Sequence, residues 1–252
     1  MDKLTLNQTT LAPGALNNQV ILITGASDGI GRALAFHAAK YGATTILLGK
    51  SIKKLEALYD EIVAAGYPEP AIHPLNLLRA EPQHAADLAQ SIKGMFNRLD
   101  AIVHNAGMVG QICQMEHLSP HKWQEVIQLN LNVPYLLTHA LLPLLQETPH
   151  ASILFTTADE ATQGKAYWSA YSASKFGIMG LAQSLHQELE TNTNIRVNCI
   201  NPKKVRTGLR VKSYPAIDPL SLPAPEDIMP HYLYLLSESA KEIRGKAVEV
   251  EI

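Results

Sequence analysis

One junction constrains this chain more than any other feature. An apolar, β-rich run at residues 19–24 passes directly into Gly25-Ala26-Ser27-Asp28-Gly29-Ile30-Gly31, and a helical pattern at 32–41 follows at once. Residues without Cβ in such a turn let backbone N–H groups approach an anion at the start of a helix, where the helix dipole also favours negative charge. The spacing is G-x-x-x-G-x-G, and the strand before it and the helix after it supply the context that such a motif needs. Gly25, Ser27, Asp28, Gly29, Ile30 and Gly31 are therefore candidates for holding a pyrophosphate.

Downstream, short apolar runs at 44–48, 71–75, 99–103, 152–156, 195–200 and 247–250 alternate with helical patterns at 53–65, 83–96, 121–146, 167–190 and 225–236. This alternation predicts an α/β fold, a doubly wound parallel sheet of about seven strands with helices on both faces and right-handed crossovers. The 252 residues fit a single domain, with 1–18 as an N-terminal extension. The irregular stretch 202–224 is longer than an ordinary connection and reads as a substrate lid. Pro134 and Pro143 are expected to kink or split the helix at 121–146.

Composition excludes several roles. A formal net charge of −2 gives no global case for nucleic acid or an acidic membrane surface. No window approaches the ~18 uncharged apolar residues of a membrane span, and residues 1–18 are too polar for a signal peptide. Cys113 and Cys199 are far apart and in no C-x-x-C pair, which fits a reducing cytosol and a cytoplasmic location. His117 and His121 are separated by Pro120 and the other histidines form no ligand pattern, so no metal is expected.

Two further features carry chemistry. The run at 44–48 leads into Gly49-Lys50-Ser51, with no acid to bond the ribose hydroxyls of NAD. Lys50, with Lys53 and Lys54 nearby, would welcome a 2′-phosphate, so NADP(H) is favoured over NAD(H). Tyr171 and Lys175 are four residues apart within a helical pattern, which puts them on one face. A cation beside a phenol lowers its pKa from about 10, and the pair becomes a candidate proton donor and acceptor.

Together these residues resemble the short-chain dehydrogenase/reductase family. The loop Thr24 to Gly31, then His104-Asn105-Ala106-Gly107, Asn130, Tyr171 with Lys175, and Asn201-Pro202 with Thr207 stand in the family's order and spacing across 19–250. The resemblance implies a Rossmann-like fold and an oxidoreductase that moves a hydride between a nicotinamide cofactor and a small carbonyl or alcohol substrate. It implies that Asn105 and Gly107, with Ala106 between them, line the adenine-ribose side, and that Asn76 and Leu77 lie near the adenine. Asn130 would hold a water in a proton relay through Lys175. Lys175 would bond the nicotinamide ribose and lower the pKa of Tyr171, which would exchange a proton with the substrate oxygen. Thr207 and the backbone near Val205 would meet the carboxamide and pyrophosphate. A homodimer or homotetramer built through 121–146 and 167–190 is also implied.

The chain departs from the family pattern in places. A serine is expected thirteen residues before Tyr171, and Ala158 stands there. Losing one preorganised donor to the substrate oxygen costs on the order of 10²–10³ in rate. Thr157 is one residue off and faces the other way on an extended strand unless a bulge re-aims it. Asp159 would repel a developing oxyanion unless it were protonated or bound a cation. Pro202-Lys203 replaces the usual Pro-Gly, and Asn76 replaces an aspartate, the milder change. Lys203, Lys204, Arg206, Arg210 and Lys212 have no acid between them, which fits either an anionic substrate or a solvated loop. Two functions follow. One is an NADP(H)-dependent reductase or dehydrogenase with a rearranged oxyanion contact. The other is an NADP(H)-binding pseudoenzyme that acts as a redox sensor or interaction module. The intact glycine loop argues against a purely structural role.

Overall fold

The computed structural model describes residues 1–7 and 10–251. Its strands are β1 (Asp2–Leu6), β2 (Val20–Thr24), β3 (Thr44–Gly49), β4 (Ala71–Pro74), β5 (Ala101–His104), β6 (Ser152–Thr156), β7 (Arg196–Asn201) and β8 (Lys246–Val250). Its α-helices are α1 (Gly29–Lys40), α2 (Ile52–Ala64), α3 (Pro82–Phe96), α4 (Pro120–Ile127), α5 (Val133–Gln146), α6 (Ser169–Glu190), α7 (Gly208–Ser213) and α8 (Met229–Leu236). The strands form one sheet in the order β1-β8-β7-β6-β5-β2-β3-β4, every pair parallel.

β2 shows why both faces are covered. Val20 and Leu22 join a cluster with Leu88 of α3, Leu141 of α5 and Ile178 of α6. Ile21 and Ile23 join the opposite cluster with Leu34 of α1, Leu58 of α2 and Leu233 of α8. Successive strand side chains point to opposite faces, so an unbroken apolar run is what a doubly covered parallel strand requires. From β2 the chain winds outward through β3 and β4, then returns to β5 on the other side of β2. A crevice opens at such a switch point, beyond the carboxyl ends of the strands.

The described residues form eight strands where the sequence pattern shows about seven. The additional one comes from the N-terminal extension: Asp2–Leu6 pairs parallel with β8, Asp2 opposite Lys246 and Leu6 opposite Val250. Leu4 and Leu6 pack inward while Lys3 and Thr5 stay exposed, an alternation hidden by the polar composition of the segment. The long helix predicted at 121–146 is split. A π-helical turn, Gln128–Asn132, separates α4 from α5, and the Val133 N–H reaches back to the Gln128 carbonyl. Pro134 has no N–H to offer the Asn130 carbonyl, which is the local cause. Helix α6 begins at Ser169 rather than 167, because Tyr167 takes a left-handed φ of 71°. Within the lid, Gly208–Ser213 is helical and is capped by Thr207, whose Oγ1 accepts the Arg210 N–H at 3.1 Å.

At the switch point Thr24 stitches β2 to the end of β5. Its buried hydroxyl accepts the N–H groups of Asn105 at 2.9 Å and Ala106 at 3.0 Å and donates to the Val103 carbonyl at 3.2 Å. Asn105 Nδ2 donates in return to the Thr24 carbonyl at 3.2 Å. Thr24→Val keeps the shape of the side chain and strands both N–H groups, each worth about 1–3 kcal/mol when buried without a partner. Urea denaturation should show a loss of about 2–4 kcal/mol, and a loss under about 0.5 kcal/mol would mean that the hydroxyl does not hold this junction.

Candidate active site

The crevice is a cleft of about 1410 Å³. It brings together every cofactor-binding residue proposed from the sequence except Gly31, and both Tyr171 and Lys175. Gly31 sits behind the wall. A Cβ there would lie 2.3 Å from the Gly25 carbonyl oxygen and 2.6 Å from Asn105 Nδ2, so its role is to let α1 approach the loop. Gly25 (φ 71°) and Gly29 (φ 52°) take left-handed conformations that favour glycine. Asp28 caps α1, its Oδ1 accepting the Gly29 N–H at 2.8 Å, and its other oxygen pairs with Lys54 Nζ at 2.5 Å. That ammonium, helped by the Gly29 N–H, holds the Asp28 carboxyl below its ordinary pKa. Lys50 is exposed and lines the cleft, while Lys54 is drawn to Asp28 and Lys53 is exposed outside it. Open backbone with cations at one rim fits a phosphorylated dinucleotide.

At the other end, Tyr171 and Lys175 share one face of α6, both largely buried. Lys175 Nζ donates to the Thr156 carbonyl at 2.8 Å and lies 5.6 Å from the centroid of the Tyr171 ring. Burial pushes the lysine down to about 8. The tyrosine moves the opposite way to the one expected: burial first, then the charge of Glu160, raise its pKa above the ordinary phenol value, and Arg210 opposes them. The ammonium is directed at a carbonyl rather than at the phenol, so it does not offset the desolvation. Asn130 is buried and does not line the cleft. Its Oδ1 accepts the Met108 N–H at 2.9 Å, and its Nδ2 donates to the Met108 carbonyl at 2.8 Å and to Ser174 Oγ at 2.9 Å. Ser174 Oγ in turn donates to the Tyr171 carbonyl at 2.7 Å. The Asn130 side chain therefore clamps the segment after β5 to α6, and its backbone carbonyl, facing Pro134, is the group without an α-helical donor.

Ala158 packs with Val109, Trp168, Tyr171 and Tyr214 in a small apolar cluster. The backbone there is extended (φ −158°, ψ 172°), and Thr157, which is buried, also lines the cleft. Asp159 binds a cation: its Oδ1 accepts Asn201 Nδ2 at 2.7 Å and Lys203 Nζ at 3.1 Å. Burial works to raise its pKa, but these bonds outweigh it and hold the carboxyl below its ordinary value. Lys203 adopts the left-handed φ of 61° that the replaced glycine would favour, and its ammonium bridges Asp159 to Glu249 at 3.0 Å. Lys203 lines the cleft, with its ammonium held by these two carboxylates.

Residues that the sequence did not single out complete the site. Thr156 and Ser174 hold the groups above. At the lid, Lys165 Nζ bonds Tyr214 Oη and lies 4.3 Å from the Trp168 ring centroid, and Arg210 Cζ stands 3.7 Å over the Tyr214 ring. Ser174 was findable three residues along the helix from Tyr171, and Arg210 with Tyr214 at the same kind of spacing, but the contacts of the lid with Lys165 and Trp168 join segments with no local sequence signal.

The buried lysine makes a pH prediction. Below about 8 it is charged in both the folded and unfolded chain. Between about 8 and its ordinary 10.5 the unfolded chain holds the extra proton, so stability rises with pH across that window. The penalty for burying the ammonium is full below the window and is relieved through it. Lys175→Met removes that penalty and one hydrogen bond, so at pH 7 it should stabilise the cofactor-free protein by about 1–3 kcal/mol, narrowing toward pH 10. Denaturant unfolding at pH 7 in which the variant is less stable than the parent would refute this.

Comparison with known proteins agrees with this geometry. A family profile described as short chain dehydrogenase matches residues 19–217. The Escherichia coli K12 oxidoreductase YciK is 42% identical over 236 residues, 94% of this chain and 93% of that protein. A short chain dehydrogenase structure from Pseudomonas syringae superposes with a TM-score of 0.95 at 43% identity, covering 97% of this chain and 99% of the other. One from Escherichia coli CFT073, complexed with NADPH, superposes with a TM-score of 0.92 at 41% identity, covering 95% and 99%. The chain belongs to the short-chain dehydrogenase/reductase family.

Proposed function

We propose that this protein is an NADP(H)-dependent oxidoreductase that interconverts a small carbonyl compound and its alcohol. The observation that carries this reading is the convergence of Tyr171 and Lys175 with the glycine loop in one cleft. The NADPH complex of the Escherichia coli CFT073 relative supports the choice of cofactor. The loop from Gly25 to Gly31 would hold the pyrophosphate and Lys50 the 2′-phosphate. Asn76 and Leu77 would meet the adenine, Asn105 to Gly107 the ribose, and Val205 with Thr207 the carboxamide and pyrophosphate. The nicotinamide supplies the hydride chemistry.

The residues of the chain handle the proton. Tyr171 would donate to a carbonyl oxygen as negative charge develops there, and burial, which raises its pKa and weakens it as an acid, sets what bound cofactor and substrate have to offset. The phenolate left behind sits beside the Lys175 ammonium, whose lowered pKa makes it the better proton source. Asn130 would fix α6 for this exchange, and its backbone carbonyl, which has no α-helical donor, would hold the relay water. The basic lid suits an anionic substrate. Outward-facing Tyr135 of α5 and Phe176 of α6, 52% and 46% exposed, suit a homo-oligomer built through those helices. The unpaired thiols of Cys113 and Cys199 fit the cytoplasm, and no described helix is long and apolar enough to cross a membrane.

Ala158 favours a second reading, an NADP(H)-binding pseudoenzyme. Fluorescence titration with NADPH, followed by assays on a panel of ketones and quinones, separates the two. The parent should bind NADPH and turn over part of the panel. Tyr171→Phe should lose about 10²–10⁴ in kcat, and Ala158→Ser should gain up to about 10². Turnover by Ala158→Ser alone would favour the pseudoenzyme, and a parent that does not bind NADPH would sink both readings.

A further inference from the structure

The charge lining the cleft differs from that of the chain as a whole. Eight cationic and four acidic side chains line it, although the whole sequence carries a formal −2. Most of these cations have assignments. Lys50 would hold the 2′-phosphate, and Lys175 stands beside Tyr171. Lys122 is paired with Glu125 at 2.8 Å, and Lys203 bridges Asp159 and Glu249. Lys165 bonds Tyr214 and faces Glu160 at 3.9 Å. Lys204, Arg210 and Lys212 of the lid remain, and among the described residues no carboxylate forms a salt bridge with them.

Arg210 is the one of the three that is held in place. Its guanidinium lies on the Tyr214 ring. The Tyr214 ring is 5.3 Å from that of Trp168, and Trp168 is 5.7 Å from that of Tyr171. A stacked guanidinium has lost much of its rotational freedom and presents a planar fork of donors that matches a carboxylate. Arg210 Nε is shielded from solvent and has no hydrogen-bond partner among the described residues. The terminal nitrogens, unlike Nε, are not shut off from solvent and make no hydrogen bond to a described residue, so they are the donors that a ligand can reach. Val109, Ile112, Leu209 and Ile217 also line the cleft and make its substrate end apolar.

We infer that the substrate is a ketone or secondary alcohol with an apolar body and a carboxylate, and that Arg210 receives the carboxylate over the Tyr214–Trp168 wall. The inference rests on the oxidoreductase reading above. It also answers the question posed by Ala158. Binding energy from a part of the substrate that does not react can fix the orientation of the part that does. A charge-assisted, bidentate contact contributes about ten- to a hundredfold, enough to offset part of the missing donor to the substrate oxygen. Arg210 is then a specificity-determining residue, and it recognises the end of the substrate remote from Tyr171.

The test pairs molecules that differ in that one group. Calorimetry of the NADPH-loaded protein compares octanoate with 1-octanol, and kcat/KM compares 7-oxooctanoate with 2-octanone. The parent should prefer the carboxylate at least tenfold in both. Arg210→Gln should bring the ratio near one, and Arg210→Lys, which keeps the charge without the fork, should restore part of it. An absent preference in the parent, or a preference that survives Arg210→Gln, overturns the inference. So does a tenfold loss of NADPH affinity in Arg210→Gln, which would assign the guanidinium to the cofactor phosphates. The octanoate comparison is repeated without NADPH, so it reads the role of Arg210 even if the cofactor assignment fails. That assignment is read separately, from the NADPH titration of the parent.

Discussion

The Thr24 hydroxyl holds the point from which the rest of the site is measured. Where a parallel sheet reverses its winding, two strand ends part and leave backbone N–H groups in need of partners. Thr24 satisfies two of them, those of Asn105 and Ala106, and fixes the floor of the cleft. The chain then reaches Met108, whose N–H and carbonyl are both held by Asn130. Asn130 bonds Ser174, and Ser174 bonds the Tyr171 carbonyl. A path of hydrogen bonds and short backbone thus runs from the end of the glycine-bearing strand to the helix that carries the tyrosine. Gly31 keeps the other side of the loop in register, because any Cβ there would meet the Gly25 carbonyl.

The departures from the family pattern form one seam rather than a set of independent losses. Ala158 lets the strand end pack against Tyr171 and Tyr214. Asp159, next in the chain, is drawn away to Asn201 and Lys203. Lys203 carries the cost of a left-handed backbone, about 1–2 kcal/mol for a residue with a Cβ. Its bonds to Asp159 and Glu249 tie the ends of β6, β7 and β8 together. Those pairs are partly solvated and each is worth less than a buried one. Their consequence is geometric: Asp159 stays ionised and tethered, so its charge faces a cation instead of the substrate oxygen.

The parts of the fold and site that were legible in the sequence depend on local periodicity. The apolar run of β2, the glycines after it and the four-residue spacing of Tyr171 and Lys175 each carry their meaning within a few residues. β1 was illegible because an edge strand of five residues needs only two inward side chains, Leu4 and Leu6, and the rest of it is polar. The π turn needed the joint effect of Pro134 and the tertiary bonds of Asn130. Arg210 and Tyr214 meet at helical spacing within the lid, but Tyr214 reaches Trp168 only because the lid folds over α6, which no period encodes. The direction of the Tyr171 shift failed for a related reason. Spacing puts an ammonium near a phenol, but burial and the alternative acceptor at Thr156 decide what that ammonium does.

Burial also explains why the substrate should bring charge of its own. The same desolvation keeps the proton on Tyr171 and loosens the one on Lys175, so both groups are pushed toward their neutral forms. That arrangement leaves Lys175 charged below about 8 and makes Tyr171 a weaker acid than a free phenol. It gives little electrostatic hold on a neutral carbonyl, and Ala158 adds none. The fixed, unpaired charge lies instead at the lid, on Arg210 across the aromatic wall. A substrate anchored there would be oriented toward Tyr171 by the end that does not react, and the reacting oxygen would need only the phenol.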